Sequence, residues 1–500
     1  MDKKIKKVVV LGGGTAGWMV ASSLVTKLDG LGLKVTVIDS SKVEAIGVGE
    51  ATLPSIRSFC SSIGIEEIDL MRSTKATCKL GVEFIDWSKR GQSFFHPFGL
   101  YGTPFQSVDF YHYWLRLFNE DKASSLEHYS LAAVLAKSGR FTRPVKQPSS
   151  ELSVFDWALH FDAGLFATVL KDHAIARGAV CLDLEVVDAE LDPNTGDICK
   201  LVTDGMPVFG DLFVDCSGFK SLLIGKALGV EYEDWSNLLP TDSAIVSQCA
   251  NKHGMQPYTQ STALEFGWKW RIPLQDRVGN GFVYSSSHCC DDIAEETFRN
   301  SLEGELLTSP SLIRFKAGRR KKAWYKNVVS IGLSAGFVEP LESTSISLIE
   351  TAIDRLLRFF PRSQVVPGAV EEFNYRTQME IENIRDFIIL HYAGSSRTDS
   401  EFWNDFGSIH LPSSLEARIS LFRESGILKK YEWESFHEPS WLTMFTAFGV
   451  LPQTYHPLVD AISKENLVSS LSRMKASLLR SALEAPSHPD FLIAYGVMEG

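Results

Sequence analysis

Val8, Val9, Val10 and Leu11 form a short β-branched apolar run, closed by three glycines. Such a run predicts a strand covered on both faces. From Met19 to Leu28 the apolar spacing becomes helical, and Lys34–Ile38 (KVTVI) predicts a second strand. Further on, the pattern predicts a helix from Ser55, a strand beginning near Leu80, a helix over Phe155–Arg177 and strands over Val180–Leu191. The stretch Asp211–Leu223 (DLFVDCSGFKSLL) reads as a strand ending at Asp215, a turn and a helix. Thr262–Ser287 reads as strands with a turn at Arg277–Gly281 (RVGNG). Val328–Glu350 is strand, loop and then a helix starting near Ser343. From about Val370 the period is helical, over Glu372–Tyr392, Ser414–Tyr431 and Asn466–Leu483. Gly91–Tyr113, rich in Phe, Pro, His and Tyr, is expected to be irregular, an aromatic pocket wall. Repeats and low-complexity tracts are missing. Strands alternating with helices in this order predict an α/β protein with a mostly helical C-terminal part.

Composition narrows the class. Hydrophobic residues at 44% and charged residues at 22% are those of an ordinary globular protein. A net charge of −11 excludes nonspecific nucleic-acid binding, which needs a basic surface. The one basic cluster, Lys316–Lys322 (KAGRRKK), is expected to be a solvated loop. The eight cysteines are scattered without a C-x-x-C pair, so reduced thiols and a cytoplasmic location are expected. Cys289 and Cys290 beside His288 and Asp291 are adjacent ligands that suit few metal geometries, and no metal is expected. The N-terminal lysines before an apolar run resemble a signal peptide, but three glycines end the run after four residues. No stretch approaches the ~20 apolar residues of a transmembrane helix.

The glycines carry the first chemistry. Gly12, Gly14 and Gly17 follow the first strand at G-x-G-x-x-G spacing. The first permits a tight turn, the second lets a pyrophosphate approach the backbone, and the third lets helix and strand pack closely. Asp39 ends the second strand, twenty-two residues after Gly17, where a carboxylate can accept hydrogen bonds from a ribose. A Gly-rich turn of an ordinary α/β fold explains the glycines but not the acid. The stretch predicts a dinucleotide site. Ile46–Pro54 (IGVGEATLP) is a second glycine-rich loop, with Glu50 inside it.

Four motifs together resemble those of flavin-dependent halogenases of the tryptophan-halogenase family. They are GGGTAG at Gly12–Gly17, the lysine of KLG at Lys79, WKWRIP at Trp268–Pro273 and FVEPLEST at Phe337–Thr344. The resemblance runs from residue 1 to about 395. It implies a flavin-monooxygenase-like FAD-binding domain, in which three segments far apart in sequence face the cofactor. The FAD and halogenase module is expected over 1–368, with substrate-side insertions at about 85–160 and 225–325. A helical part, 369–500, is expected to close the substrate pocket.

What the resemblance implies for residues is specific. Lys79 matches the family's catalytic lysine, although an arbitrary lysine is a surface residue by default. Its ammonium could hydrogen-bond hypohalous acid, or its amine could form a haloamine. Glu342 matches the catalytic carboxylate, to polarise the same acid or to take the arenium proton as general base. Its alternative role is an acid at a helix N-terminus. Thr344 and Ser345 match the halide-binding positions, chloride or bromide. Ser345 stands where glycine is usual, so a positive φ there would disfavour it and put halide preference in question. Flavin contacts are expected from Gly14, Thr15, Ala16, Asp39, Glu50, Leu333 and Ile346, with Val186 less central. Trp268 and Trp270, on one face of a strand, are explained by core packing alone. In the family they wall the flavin from the organic substrate.

His96 and Phe98 match aromatics that sandwich an indole ring, and Phe436 is expected as the remaining wall. The stretch Tyr431–Gly449 lacks the paired tyrosines and the Phe-Trp pair that clamp the amino-acid end of tryptophan, and has Ser440 near the expected asparagine. An indole-like substrate without that moiety, or a larger indole-bearing molecule, follows; a carrier-tethered substrate has no readable docking motif. Reduced FAD and halide are the implied cofactors, and an NADH-dependent flavin reductase acting by diffusion is the implied partner, with a homodimer left open. The rival readings are a flavin-dependent aromatic hydroxylase, which would not need Lys79, and a catalytically silent flavin-binding protein.

Overall fold

Alternating strands and helices build two units from interleaved segments in the computed structural model, which describes residues 4–42, 49–148, 150–407 and 409–499. The first unit comprises Met1–Ala76, Phe161–Asp242 and Arg314–Glu382; the second comprises Thr77–His160, Ser243–Ile313 and Asn383–Gly500.

The first unit is centred on the strand Lys7–Leu11, whose Val8 to Leu11 are all buried. It pairs in parallel with Lys34–Ile38 on one side and Leu212–Asp215 on the other. The six-stranded sheet runs in the order Trp324–Tyr325, Val328–Ser330, Leu212–Asp215, Lys7–Leu11, Lys34–Ile38, Val180–Leu182. The parallel sheet explains why these strands read as unbroken apolar runs. A smaller antiparallel sheet of Val186–Leu191, Ile198–Thr203 and Val208–Phe209 buries Ile198, Leu201 and Val208 in one cluster with Val9 and Phe213. Asp215 ends its strand fully buried. Its carboxylate accepts from Ser217 N, and from Leu223 N and Ile224 N at 2.8 and 2.9 Å. That is the strand-to-helix junction the sequence predicts.

The second unit carries a seven-stranded sheet in the order Ser311–Arg314, Ser243–Cys249, Val278–Tyr284, Gly267–Pro273, Thr259–Ala263, Gly81–Ile85, Ser93–Pro97. Pairing is antiparallel through its middle, and Thr259–Ala263 runs parallel to Gly81–Ile85. Helices Glu401–Phe406, Ser413–Ser425, Glu438–Ala447, Lys464–Glu484 and His488–Ala494 complete it. Helix Pro367–Ala393 is divided between the units at Glu382. Among the described residues no helix is long and apolar enough to cross a membrane.

Several expectations need correction. Phe155–Arg177 is not one helix: Ala158–Asp162 is a strand buried at every residue, and the helix is Ala163–Ala176. Periodicity cannot separate a fully buried strand from a buried helix, and the boundary is set by Asp162, whose Oδ1 accepts from Leu165 N at 2.6 Å. The first helix is Thr15–Lys27, beginning before Met19 because Gly14 is its cap. Gly91–Tyr113 is partly regular, with a strand at Ser93–Pro97 and a helix from Phe110. RVGNG is mostly strand. The turn lies before it, where Leu274 N bonds Arg277 O, and a Cβ on Gly281 would sit 2.0 Å from the Trp270 ring. That glycine makes room for an indole instead of turning the chain. KAGRRKK is not a solvated loop, since Gly318–Arg320 pairs with Tyr232–Asp234. Arg319 is 7% exposed, held by Glu233 at 2.8 Å and Glu382 at 2.9 Å. The helix expected over Ser414–Tyr431 stops at Ser425, because Gly426 takes φ +72°.

Candidate active site

In the first unit the glycine loop shows why each glycine is there. Gly12 has φ +116°, and a Cβ on it would lie 2.2 Å from Cys216 O. A Cβ on Gly17 would lie 1.8 Å from Gly12 O. Around Gly14, by contrast, nothing lies within 4 Å of the Cβ position. The helix it caps has no side-chain cap, so the N–H groups of its first turn, over Thr15, Ala16 and Gly17, face that space. This is a cradle for a pyrophosphate, and the residues fit an FAD.

Asp39 lies against the loop, with Oδ1 1.8 Å from where a Gly13 Cβ would be. Lys171 Nζ donates to its Oδ2 at 3.0 Å, and that hydrogen bond raises the lysine's pKa. Lys171 had no signal in the sequence beyond its helix. Glu50 lies in the short strand Gly49–Ala51, where burial of its carboxyl pushes it up to about 7. Ile46, Gly47 and Val48 of the same loop lie outside the described residues. Leu333 is in the helical turn Gly332–Ser334, and a Cβ on Gly332 would touch Ala16 Cβ at 3.0 Å, so this turn packs on the fingerprint helix. Val186 begins a strand of the smaller antiparallel sheet and is half-buried.

Glu342 is fully buried at the end of the turn Pro340–Glu342, followed by the helix Thr344–Arg358. Between them Ser343 takes φ +61°. Ser345 is inside the helix, so the residue in the left-handed region is Ser343 and the conformational objection to serine at 345 does not arise. Thr344 is fully buried and its Oγ1 has no hydrogen-bond partner, at a helix N-terminus without a side-chain cap. A donor of this kind beside unpaired amides suits an anion. Ile346 is 4% exposed in the same turn.

In the second unit Lys79 ends the strand Thr77–Lys79 with no exposed surface. Its Nζ stands 5.0 Å from the centroid of the Phe98 ring, a cation–π distance. His96 is 2% exposed, its ring 5.9 Å from Phe387 and 6.4 Å from Phe436. Phe387 and Phe436 stack at 3.9 Å, and Trp441 meets Phe387 edge-on at 4.8 Å. Trp268 and Trp270 lie 5.8 Å apart in the strand Gly267–Pro273, both buried. On its opposite face Arg271 pairs with Glu303 at 2.7 Å and donates to Gln256 Oε1 and Gly254 O. Around Lys79 the structure adds two buried histidines, His160 and His488, that the sequence did not single out. His288 bonds Asp405 and Ser285, and among the described residues no group of three His, Cys, Asp or Glu could hold a metal.

The family model described as tryptophan halogenase matches residues 7–464. Tryptophan 6-halogenase SttH from Streptomyces toxytricini is 36% identical over 445 residues, covering 83% of this chain and 84% of that enzyme. The solved structure of BrvH, a flavin-dependent halogenase from Brevundimonas sp. BAL3, matches at TM-score 0.95 and 48% identity over 98% of this chain and 99% of that one. Xcc4156, a flavin-dependent halogenase from Xanthomonas campestris, matches at TM-score 0.94 and 39% identity over 99% of each chain.

Proposed function

The chain belongs to the tryptophan halogenase family and is a flavin-dependent halogenase, and on that premise we propose that it halogenates an indole-like arene through Lys79 and Glu342, with free tryptophan a poor substrate. The family uses reduced FAD and halide, and its members need a separate flavin reductase. Reduced FAD, when bound at the glycine cradle, supplies the electrons with which oxygen converts halide to hypohalous acid.

The protein's part is binding, orientation and proton handling. Gly12, Gly14, Thr15, Ala16 and Gly17 hold the cofactor's phosphates, Asp39 its ribose, and Glu50, Leu333, Ile346 and Val186 complete its contacts. The amides of Thr344 and Ser345 hold halide. Lys79 donates a hydrogen bond to hypohalous acid and makes its halogen more electrophilic. Glu342 takes the proton released when the ring regains aromaticity. Trp268 and Trp270 wall the flavin side, and His96, Phe98 and Phe436 hold a flat ring by offset stacking.

The observation that carries this reading is Lys79, a lysine without solvent contact held over an aromatic ring. Substrate choice is supported by four polar side chains of Tyr431–Gly449 that are committed to partners within the protein. Tyr431 donates to Ser414 O, Glu434 pairs with Arg418, Glu438 with Lys430, and Thr443 bonds Tyr101. We place the enzyme in the cytoplasm, supplied by diffusion from an NADH-dependent reductase; all eight cysteines are free thiols.

Mass spectrometry of a reaction with FAD, NADH, reductase and bromide, offered indole and tryptophan together, tests the reading. A bromine isotope doublet on indole is expected. Halogenated tryptophan alone would overturn the substrate assignment. A product heavier by one oxygen atom would indicate a hydroxylase.

A further inference from the structure

The strand that carries Lys79 is three residues long, too short to fix a side chain by ladder bonds alone. It pairs antiparallel with Ala158–Asp162, placing Thr77 opposite His160 and Lys79 opposite Ala158. Cys78 and Leu80 send their N–H groups elsewhere, as alternate residues of an antiparallel pair do. Leu80 N bonds Pro257 O at 2.7 Å, and Cys78 N bonds the Nε2 of His488 at 3.1 Å.

Both imidazoles around this strand have their tautomer set by partners that leave no choice. The backbone N–H of Cys78 only donates, so His488 Nε2 accepts. Met255 O only accepts, so the His488 Nδ1, 2.7 Å away, carries the proton. Thr77 Oγ1 gives its proton to Pro273 O at 2.6 Å and must accept from His160 Nδ1 at 3.0 Å. His160 Nε2 is then left to accept from Thr259 Oγ1 at 2.9 Å. Each ring is neutral and fully used. Both are fully buried. Burial pushes His488 down to about 4, and burial together with the Lys79 charge holds His160 well below its ordinary value.

The arrangement is anchored further back. The carbonyl that receives His488 belongs to segment 254–257, which Arg271 grips through Gly254 O at 3.0 Å and Gln256 Oε1 at 2.8 Å. His488 itself opens the helix His488–Ala494, and its N–H bonds Gly139 O. The tryptophan-motif strand and the far C-terminal helix thus converge on one three-residue strand.

We propose that His160 and His488 are positioning residues for Lys79, holding its strand by the hydrogen bonds that their neutral Nδ1–H imidazoles make there. This rests on the reading of Lys79 as the group that handles hypohalous acid. A lysine ammonium sits on a flexible four-carbon stem, so its aim depends on how firmly its backbone is held. Displacement by about 1 Å costs on the order of 100-fold in rate. A loosened Lys79 lets hypohalous acid leave without reacting.

The test measures the partition between halogenated arene and released hypohalous acid, trapped by a freely diffusing β-diketone, in wild type, His488→Ala, His488→Gln, Thr259→Val and Lys79→Ala. NADH consumption and FAD binding are measured alongside. His488→Ala is expected to lower arene halogenation ~10- to 100-fold, with trapped halogen rising in step and NADH consumption unchanged. His488→Gln, whose amide can accept from Cys78 N and donate to Met255 O, restores most of the partition. Thr259→Val removes only the donor to His160 and shifts the partition several-fold, which keeps the test intact should His488→Ala fail to fold. Wild-type partition in Thr259→Val and His488→Ala, with Lys79→Ala inactive, overturns the positioning role and leaves the Lys79 reading standing. Full arene halogenation by Lys79→Ala overturns that reading itself.

Discussion

Glu350 is a carboxyl that the first unit forces to stay protonated, and replacing it with glutamine should stabilise the protein in a pH-dependent way. It lies on the helix Thr344–Arg358 and is 9% exposed. Burial pushes its pKa up to about 8, a hydrogen bond with Ser55 pulls the other way, and the Glu380 carboxylate adds to the rise. Glu380 is itself committed to Arg355 and Thr351. Because the folded value lies above the unfolded 4.5, the unfolded chain loses its proton first. Stability from this group is therefore full below pH 4.5 and is lost as pH rises toward 8. Integrating between those values, ionisation favours the unfolded state by about 1 kcal/mol at pH 5 and about 3 kcal/mol at pH 7. Glu350→Gln has no such penalty. It keeps the side-chain volume and can still bond Ser55, at a cost of about 1 kcal/mol for its additional buried donor. The variant should match wild type near pH 5 and exceed it by about 2 kcal/mol at pH 7. Urea unfolding followed by fluorescence, with eleven tryptophans as reporters, measures this at both pH values. An advantage that is the same at pH 5 and 7, or reversed, would refute a protonated Glu350.

Other expectations follow from single contacts. Gly17→Ala should abolish FAD binding in equilibrium dialysis, since its Cβ would fall 1.8 Å from Gly12 O, a backbone atom that cannot move aside. His488 has the opposite sign from Glu350. Its folded pKa of about 4 lies below the ordinary 6.5, so its contribution is complete above pH 6.5 and is lost as pH falls toward 4. His488→Gln should flatten the decline of the urea midpoint between pH 6.5 and 4. Arg271→Met should lower unfolding free energy by about 3–5 kcal/mol, because Glu303 would be left buried without its partner; Glu303→Gln in the same background should recover part of it.

Where burial on both faces writes itself as an unbroken apolar run, the sequence was sufficient. Lys7–Leu11 and Lys34–Ile38 lie where their patterns place them, and the clash distances at Gly12 and Gly17 are the physical form of the glycine spacing. Legibility ended where a residue's meaning depends on a distant partner. The basic run at Lys316–Lys322 looks solvated until Glu233 and Asp234 of the neighbouring strand, and Glu231 just before it, are set against it. Gly281 looks like a turn until the Trp270 ring is placed over it. Lys79 carries no local sign that it is buried, and His488, more than four hundred residues away in sequence, carries no sign that it holds Lys79's neighbour. The positive φ expected as a problem at Ser345 fell two residues earlier, at Ser343, because the helix begins at Thr344.

The central claim is that hypohalous acid made with reduced FAD reaches the arene only through Lys79. It is tested most directly by comparing wild type and Lys79→Ala at equal NADH consumption, with bromide and indole, by mass spectrometry. The account predicts a bromine isotope doublet on indole from the wild type and none from the variant, while NADH consumption by the two is the same. Brominated indole from Lys79→Ala at the wild-type rate would contradict it.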